Sequence, residues 1–264
     1  MRKNRLRELL DAGQPSLGTH VHSPWPSIIE IVGHSGQFDY VEYVAEYAPH
    51  DLHTMDNLGR AIDLFDDFSG MIKIEQGPSG WLASRAMGAG IQNLLFADIR
   101  TVADAEEAVR SVRADTPEGG GDHGVNMRRY VRFGLDAGTP EFVKALSDAV
   151  VAIMIEKKSA VEDLDSILAV EGIDMVQFGA ADYALSVGMP RQYDVPEIRE
   201  AETHVIETAL RLGKNPRVEL KSAAGFERYL EMGVRHFCVG TDVSILMEWF
   251  ASNGAEMRRV LGTL

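Results

Sequence analysis

The chain has 264 residues, 45% hydrophobic and 25% charged, which is length and apolar content enough for one large core. A formal net charge of −14 argues against non-specific binding to nucleic acid and against an anionic membrane surface, but leaves room for an anionic small molecule in a local cationic pocket. The single cysteine, Cys238, excludes an intrachain disulfide framework and fits a reducing compartment.

The segment from Met1 to Leu10 is basic, with Leu6, Leu9 and Leu10 at helical spacing, and reads as a short amphipathic helix rather than a secretory signal. No run approaches the roughly 20 apolar residues of a membrane span, so a soluble cytoplasmic protein is expected. Short apolar strands then alternate with helical patterns. The candidate strands are Ser16–Val21, Tyr40–Ala45, Gly70–Ile74, Asn93–Phe96, Ala149–Ile155, Met175–Phe178, Arg217–Glu219 and His236–Val239. The intervening segments, such as Val102 to Val112 and Ala224 to Gly233, carry a 3.6-residue period. Gly90, Gly172 and Gly233 each precede an apolar run, as residues that close a helix do. The alternation predicts an α/β fold, a closed parallel (β/α)8 TIM barrel with residues 1–264 as one domain. One stretch breaks the rhythm. The glycine cluster from Thr116 to Gly124, with the arginine-rich run Asn126 to Arg132 behind it, reads as an active-site loop or subunit contact, or else as a surface excursion.

Two acids stand out. Ala149 to Ile155 runs into Glu156, and Gly172 to Ala181 runs into Asp182, with an amphipathic stretch from Ser159 to Val170 between them. A carboxylate thus closes each of two successive strands at its C-terminal end, the edge where parallel α/β folds do chemistry. Two hard oxygen ligands there suit a divalent cation such as Mg²⁺ or Mn²⁺. The first strand ends Gly18-Thr19-His20-Val21-His22, and alternate residues share a face, so His20 and His22 are a candidate pair for proton transfer. His50 and His53 flank the second-strand loop as further candidates.

Ile155-Glu156, Ala160 to Ile167, Val170 to Asp174 and Phe178 to Gly188 together resemble the central signature of the HpcH/HpaI aldolase/citrate lyase family. Gly36 to Tyr40 and Glu46 to Asp51 are similar to its second strand and loop, Asp98 to Val109 to its fourth strand and helix, and Val239 to Asp242 to the close of its eighth. The resemblance spans about residues 5–262. It implies a (β/α)8 barrel whose C-terminal helix is swapped between partners in a homo-oligomer, dimer to hexamer. It implies a metal-dependent lyase that makes or breaks a carbon–carbon bond next to a 2-oxo acid through a metal-stabilised enolate. It also implies Glu156 and Asp182 as ligands of Mg²⁺ or Mn²⁺, with a small carboxylate substrate chelating the ion. The turn Gly179-Ala180-Ala181, which opens the next helix, can offer backbone N–H groups to that carboxylate.

The chain departs from the family at reacting positions. Tyr47 stands where the family has its histidine base, Lys73 where it has an arginine, and Met154 where it has a glutamine. Its basic glycine loop reads Gly121-Asp122-His123-Gly124 without the arginine. The catalytic candidates are therefore His20, His22, Tyr47 and Lys73. A phenol with a pKa near ~10 is a poor base at neutral pH but a competent proton donor. Lys73 supplies charge without the bidentate fork of arginine. A Schiff base on Lys73 is disfavoured because the metal carboxylates are intact, and Glu75 and Gln76 are expected as rim contacts. Two other readings compete. His-x-His with Asp242 fits an amidohydrolase-like hydrolase, but that pattern needs histidines on middle strands and none occurs between Val125 and Thr203. The other is a non-catalytic barrel that binds or assembles.

Overall fold

A computed structural model describes every residue except Met1, Gln76, Pro78 and Leu264. The expectation for Gln76 therefore lies outside the described residues. The strands are β1 (Ser16–Val21), β2 (Tyr40–Val44), β3 (Ser69–Ile74), β4 (Asn93–Ile99), β5 (Val151–Ile155), β6 (Met175–Phe178), β7 (Asn215–Leu220) and β8 (His236–Thr241). They pair in chain order, all parallel, and β8 closes on β1. This is the predicted (β/α)8 barrel.

The strands read as nearly continuous apolar runs because a barrel strand is covered on both faces. All of Val151–Ile155 is buried, for example. The largest departure from expectation is β4, which runs on to Ile99 instead of stopping at Phe96. Its pairing with β5 shifts register between Phe96 and Ile99, and Asp98 takes a left-handed φ of 59°. That bulge re-aims Asp98 at the strand end.

The N-terminal helix Arg5–Asp11, capped by the Asn4 side chain, closes the bottom of the barrel. Leu6 enters the interior among Tyr40, Met71, Leu95, Ala152, Met154 and Met175. The basic character of this segment has a local use: Arg7 pairs with Asp174 at 2.7 Å. Gly90, Gly172 and Gly233 have φ of 99°, 90° and 100°, the left-handed backbone that ends a helix.

Two expectations change. The amphipathic stretch after Glu156 is two short helices, Lys158–Glu162 and Leu164–Leu168, broken at Asp163, which caps both. The apolar face survives the break, since Ala160, Leu164, Ile167 and Leu168 stay buried. The glycine-rich segment follows the helix Val102–Val112, so it lies where helices feed strands, at the end opposite the catalytic mouth. It folds back on that helix: the Gly121 N–H donates to Ala114 O at 3.0 Å, and the His123 N–H to Arg113 O at 3.0 Å. None of its residues lines the cavity described below, so within one chain it is a packing element and not an active-site loop.

The C-terminal helix Asp242–Leu261 buries none of its residues and exposes Ile245, Leu246, Met247, Trp249 and Phe250. Among the described residues no helix is long and apolar enough to cross a membrane.

Candidate active site

Glu156 follows β5 directly. Asp182 does not end β6; it lies in the first turn of the helix Ala180–Ser186, with Gly179 as its N-cap. Both acids line one cavity of about 400 Å³ at the C-terminal mouth of the barrel, together with Tyr47, Lys73, Met154, Gly179, Ala180 and Ala181. The structure thus brings together most of the residues singled out in the sequence.

Each acid has one oxygen fixed by a donor. Glu156 Oε1 accepts the backbone N–H of Asp98 at 2.6 Å. Lys157 Nζ reaches Asp182 Oδ1 at 3.1 Å and Asp98 Oδ1 at 2.9 Å. Glu156 Oε2 and Asp182 Oδ2 accept no hydrogen bond from the described residues. Glu156 Oε2 lies over Gly179, where an added Cβ would come within 2.5 Å of it. Burial of Glu156 raises its pKa, with Asp182 adding to the effect, against the Asp98 N–H and Lys73, which lower it. Two free carboxylate oxygens, one on a buried acid, fit a small hard dication.

Lys73, on β3, is buried and pairs with Glu46 Oε2 at 2.5 Å. Burial would lower its pKa, but the Glu46 carboxylate overrides this and raises it, so the ammonium is firmly held. That argues against a Schiff-base role, which requires a free amine. Lys73 Nζ also stands 5.0 Å from the centre of the Tyr47 ring. Burial raises the Tyr47 phenol, so it is neutral and able to donate.

The histidines separate. His20 is buried and absent from the cavity wall; it faces Glu219, which lines the cavity, at 3.3 Å. His22 lies one residue beyond β1, partly exposed, with its ring edge-on to Tyr47 at 6.0 Å between centroids. The pair is therefore not one catalytic unit: only His22 stands beside a cavity residue from the expected catalytic set. His50 bonds Ala48 O at 3.2 Å, while His53 and Glu75 are exposed, and none of the three lines the cavity.

Sequence reasoning missed Asp98, Lys157 and a polar layer on the opposite wall. Arg217, wholly buried, pairs with Glu42, and its Nε donates to Tyr40 Oη at 2.7 Å. Gln177 donates to Glu219 Oε2 at 3.2 Å and accepts from Arg217. The signal was present as charged residues inside otherwise apolar strands, Glu42 in β2 and Arg217 and Glu219 in β7, since a barrel strand rarely buries a charge without a partner.

The match to the HpcH/HpaI aldolase/citrate lyase family model covers residues 18–246. The chain is 29% identical to the hydroxypyruvate/pyruvate aldolase of Agrobacterium fabrum over 92% of its own length and 89% of that protein. It is 28% identical to the 5-keto-4-deoxy-D-glucarate aldolase of Shigella boydii over 92% of this chain and 91% of the relative. A solved HpcH/HpaI family protein from Burkholderia cenocepacia superposes with a TM-score of 0.87 at 28% identity, covering 97% of this chain and 100% of that one. These likenesses leave the hydrolase reading without support. With its closed barrel and paired acids at the mouth, the chain belongs to the HpcH/HpaI aldolase/citrate lyase family and is an aldolase-like carbon–carbon lyase.

Proposed function

We propose that this enzyme makes or breaks a carbon–carbon bond adjacent to a 2-oxo acid such as pyruvate, with Glu156 and Asp182 holding Mg²⁺ or Mn²⁺. The observation that carries the reading is the pair of unbonded oxygens, Glu156 Oε2 and Asp182 Oδ2, on the wall of one cavity. A dication held there supplies Lewis-acid stabilisation of the negative charge that develops on the keto oxygen. Lys73 adds fixed positive charge to the same wall, and its clamp by Glu46 keeps it in place without binding energy from the substrate. The Gly179 N–H is taken up by Ile155 O at 3.1 Å, but the helix that follows carries no side-chain cap, so the N–H groups of Ala180 and Ala181 are left to meet the substrate carboxylate. Met154 closes the wall with an apolar side chain.

Proton transfer is assigned to Tyr47, with His22 behind it. Tyr47 stands at the cavity and His22 touches its ring edge. Tyr47, held neutral, is the proton donor, and His22, whose pKa burial lowers, is the neutral imidazole that can accept the proton of the substrate hydroxyl. The polar wall of Glu219 and Gln177 then faces the acceptor fragment and offers hydrogen bonds to hydroxyl groups.

The exposed apolar face of Asp242–Leu261 supports a homo-oligomer in which this helix covers the neighbouring copy. The whole chain is read as one barrel domain working in the cytoplasm.

Glu156→Ala and Asp182→Ala decide the main reading. Each should abolish Mn²⁺ binding by calorimetry and pyruvate–aldehyde turnover together. Undiminished turnover by either variant in chelator-treated solution would overturn it.

A further inference from the structure

Beside the cavity, four neighbouring strands, β7, β8, β1 and β2, place Glu219, Cys238, His20 and Glu42 side by side. Glu219 is level with Cys238, and His20 with Glu42. His20, Glu42 and Cys238 are all buried, and they offer a nitrogen, an oxygen and a sulfur that lie within 4.8 Å of one another. His20 Nε2 and Glu42 Oε1 face each other at 3.3 Å, yet neither has a hydrogen-bond partner. Their mutual contact is an ion pair that requires a charged imidazole, and a neutral imidazole leaves both buried atoms unsatisfied unless a cation joins them.

We propose that His20, Glu42 and Cys238 form a second dication site, of the zinc type, separate from the Glu156–Asp182 pair. Three features support it. Two ligands at about 2.0–2.1 Å from one ion at the tetrahedral angle lie about 3.3 Å apart, the spacing of His20 Nε2 and Glu42 Oε1. The other atoms of the same side chains are already held. His20 Nδ1 faces Glu219 Oε1 at 3.3 Å, and Glu42 Oε2 pairs with Arg217. A carboxylate behind a ligating imidazole, and a donor behind a ligating carboxylate, are the supports a metal site uses to fix its ligands. Lastly, the charges close. A dication and Arg217 balance Glu42, Glu219 and a Cys238 thiolate. A site with sulfur and nitrogen donors selects zinc-like ions, whereas the all-oxygen pair at the mouth selects magnesium-like ones. The ion would tie β8, β1 and β2 together beside the cavity, with the half-exposed Glu219 side chain between it and the substrate.

The test uses the full chain, stripped with a chelator and titrated with Co²⁺ alone. Cys238 is the chain's only thiol, so any thiolate-to-cobalt charge-transfer band in the near ultraviolet reports on it. The expected result is such a band that saturates at one equivalent of thiolate-bound ion. It should persist in Asp182→Ala, disappear on addition of Zn²⁺, and be lost in Cys238→Ser. A wild-type chain with no band overturns the proposal, whatever the variants do. A band that persists unchanged in folded His20→Ala overturns the three-ligand assignment.

Discussion

The backbone N–H of Asp98 donates to Glu156 Oε1 at 2.6 Å, from a residue whose φ of 59° is left-handed. The bulge in β4 thereby fixes the buried acid, while the Asp98 carboxylate pins Lys157 at 2.9 Å. A strained residue at a strand end is tolerated where it orients a functional group.

Asp98→Gly keeps the bulge and relieves the left-handed strain, so unfolding stability should stay within about 1 kcal/mol of the parent. The tether on Lys157 is lost, and Mn²⁺ affinity should fall by about 10-fold or more, as for other groups that hold a ligand in place. Calorimetric titration beside denaturant unfolding checks the split. Equal loss in both would mean that Asp98 serves the fold rather than the site.

At Gly179 an added Cβ would come within 2.5 Å of Glu156 Oε2 and 2.7 Å of its Cβ. Gly179→Ala should therefore displace the carboxylate and weaken Mn²⁺ binding by about 10-fold or more, with the circular dichroism spectrum preserved. An alanine variant with parental affinity would show that Glu156 is not a ligand in this position.

Lys73 and Glu46 form a largely buried pair at 2.5 Å. Removing one partner strands the other, so Lys73→Met should cost roughly 3 kcal/mol of stability. Adding Glu46→Gln should restore most of it, since an uncharged pair leaves no isolated carboxylate. Turnover should remain low in both variants, because neither supplies positive charge at the cavity. Urea unfolding and a pyruvate assay on the three proteins separate the structural loss from the catalytic one.

The C-terminal helix presents Trp249 and Phe250 to solvent, each 60% exposed. Trp249→Asp with Phe250→Asp should convert an oligomer to monomers in light scattering, with the barrel's unfolding transition retained. A monomeric parent would refute the oligomer.

His123 is buried, and burial depresses its pKa below 6.5. The unfolded chain then binds a proton more readily than the folded one. Its contribution to stability is complete above the unfolded pKa of about 6.5 and declines as pH falls toward the folded value. His123→Asn should flatten that part of the stability–pH curve, measured by denaturant midpoints below pH 6.5. An unchanged slope would show that His123 is not its source.

Much of the site was legible because its markers are local. Glu156 terminates an apolar run, whereas Tyr47 and Lys73 are marked by where they stand against the family's histidine and arginine positions. The misreadings were also local. A strand pattern shows which residues share a face but not how deep they sit, so His20 and His22 looked equivalent when one is buried and the other stands beyond the strand. The glycine cluster read by composition as an active-site loop, a subunit contact or a surface excursion, and only its place after a helix, at the far end of the barrel, removes it from the mouth.

The sequence alone determined the alternation of eight strands with helices and the two acids that follow successive apolar runs, because these follow from periodicity along short segments. Only the tertiary structure decided which polar side chains meet. Arg217 and Glu42 lie 175 positions apart, and they join because closing the sheet brings β7 and β2 around one interior. Register and closure are properties of the whole barrel, and no local window of the chain contains them.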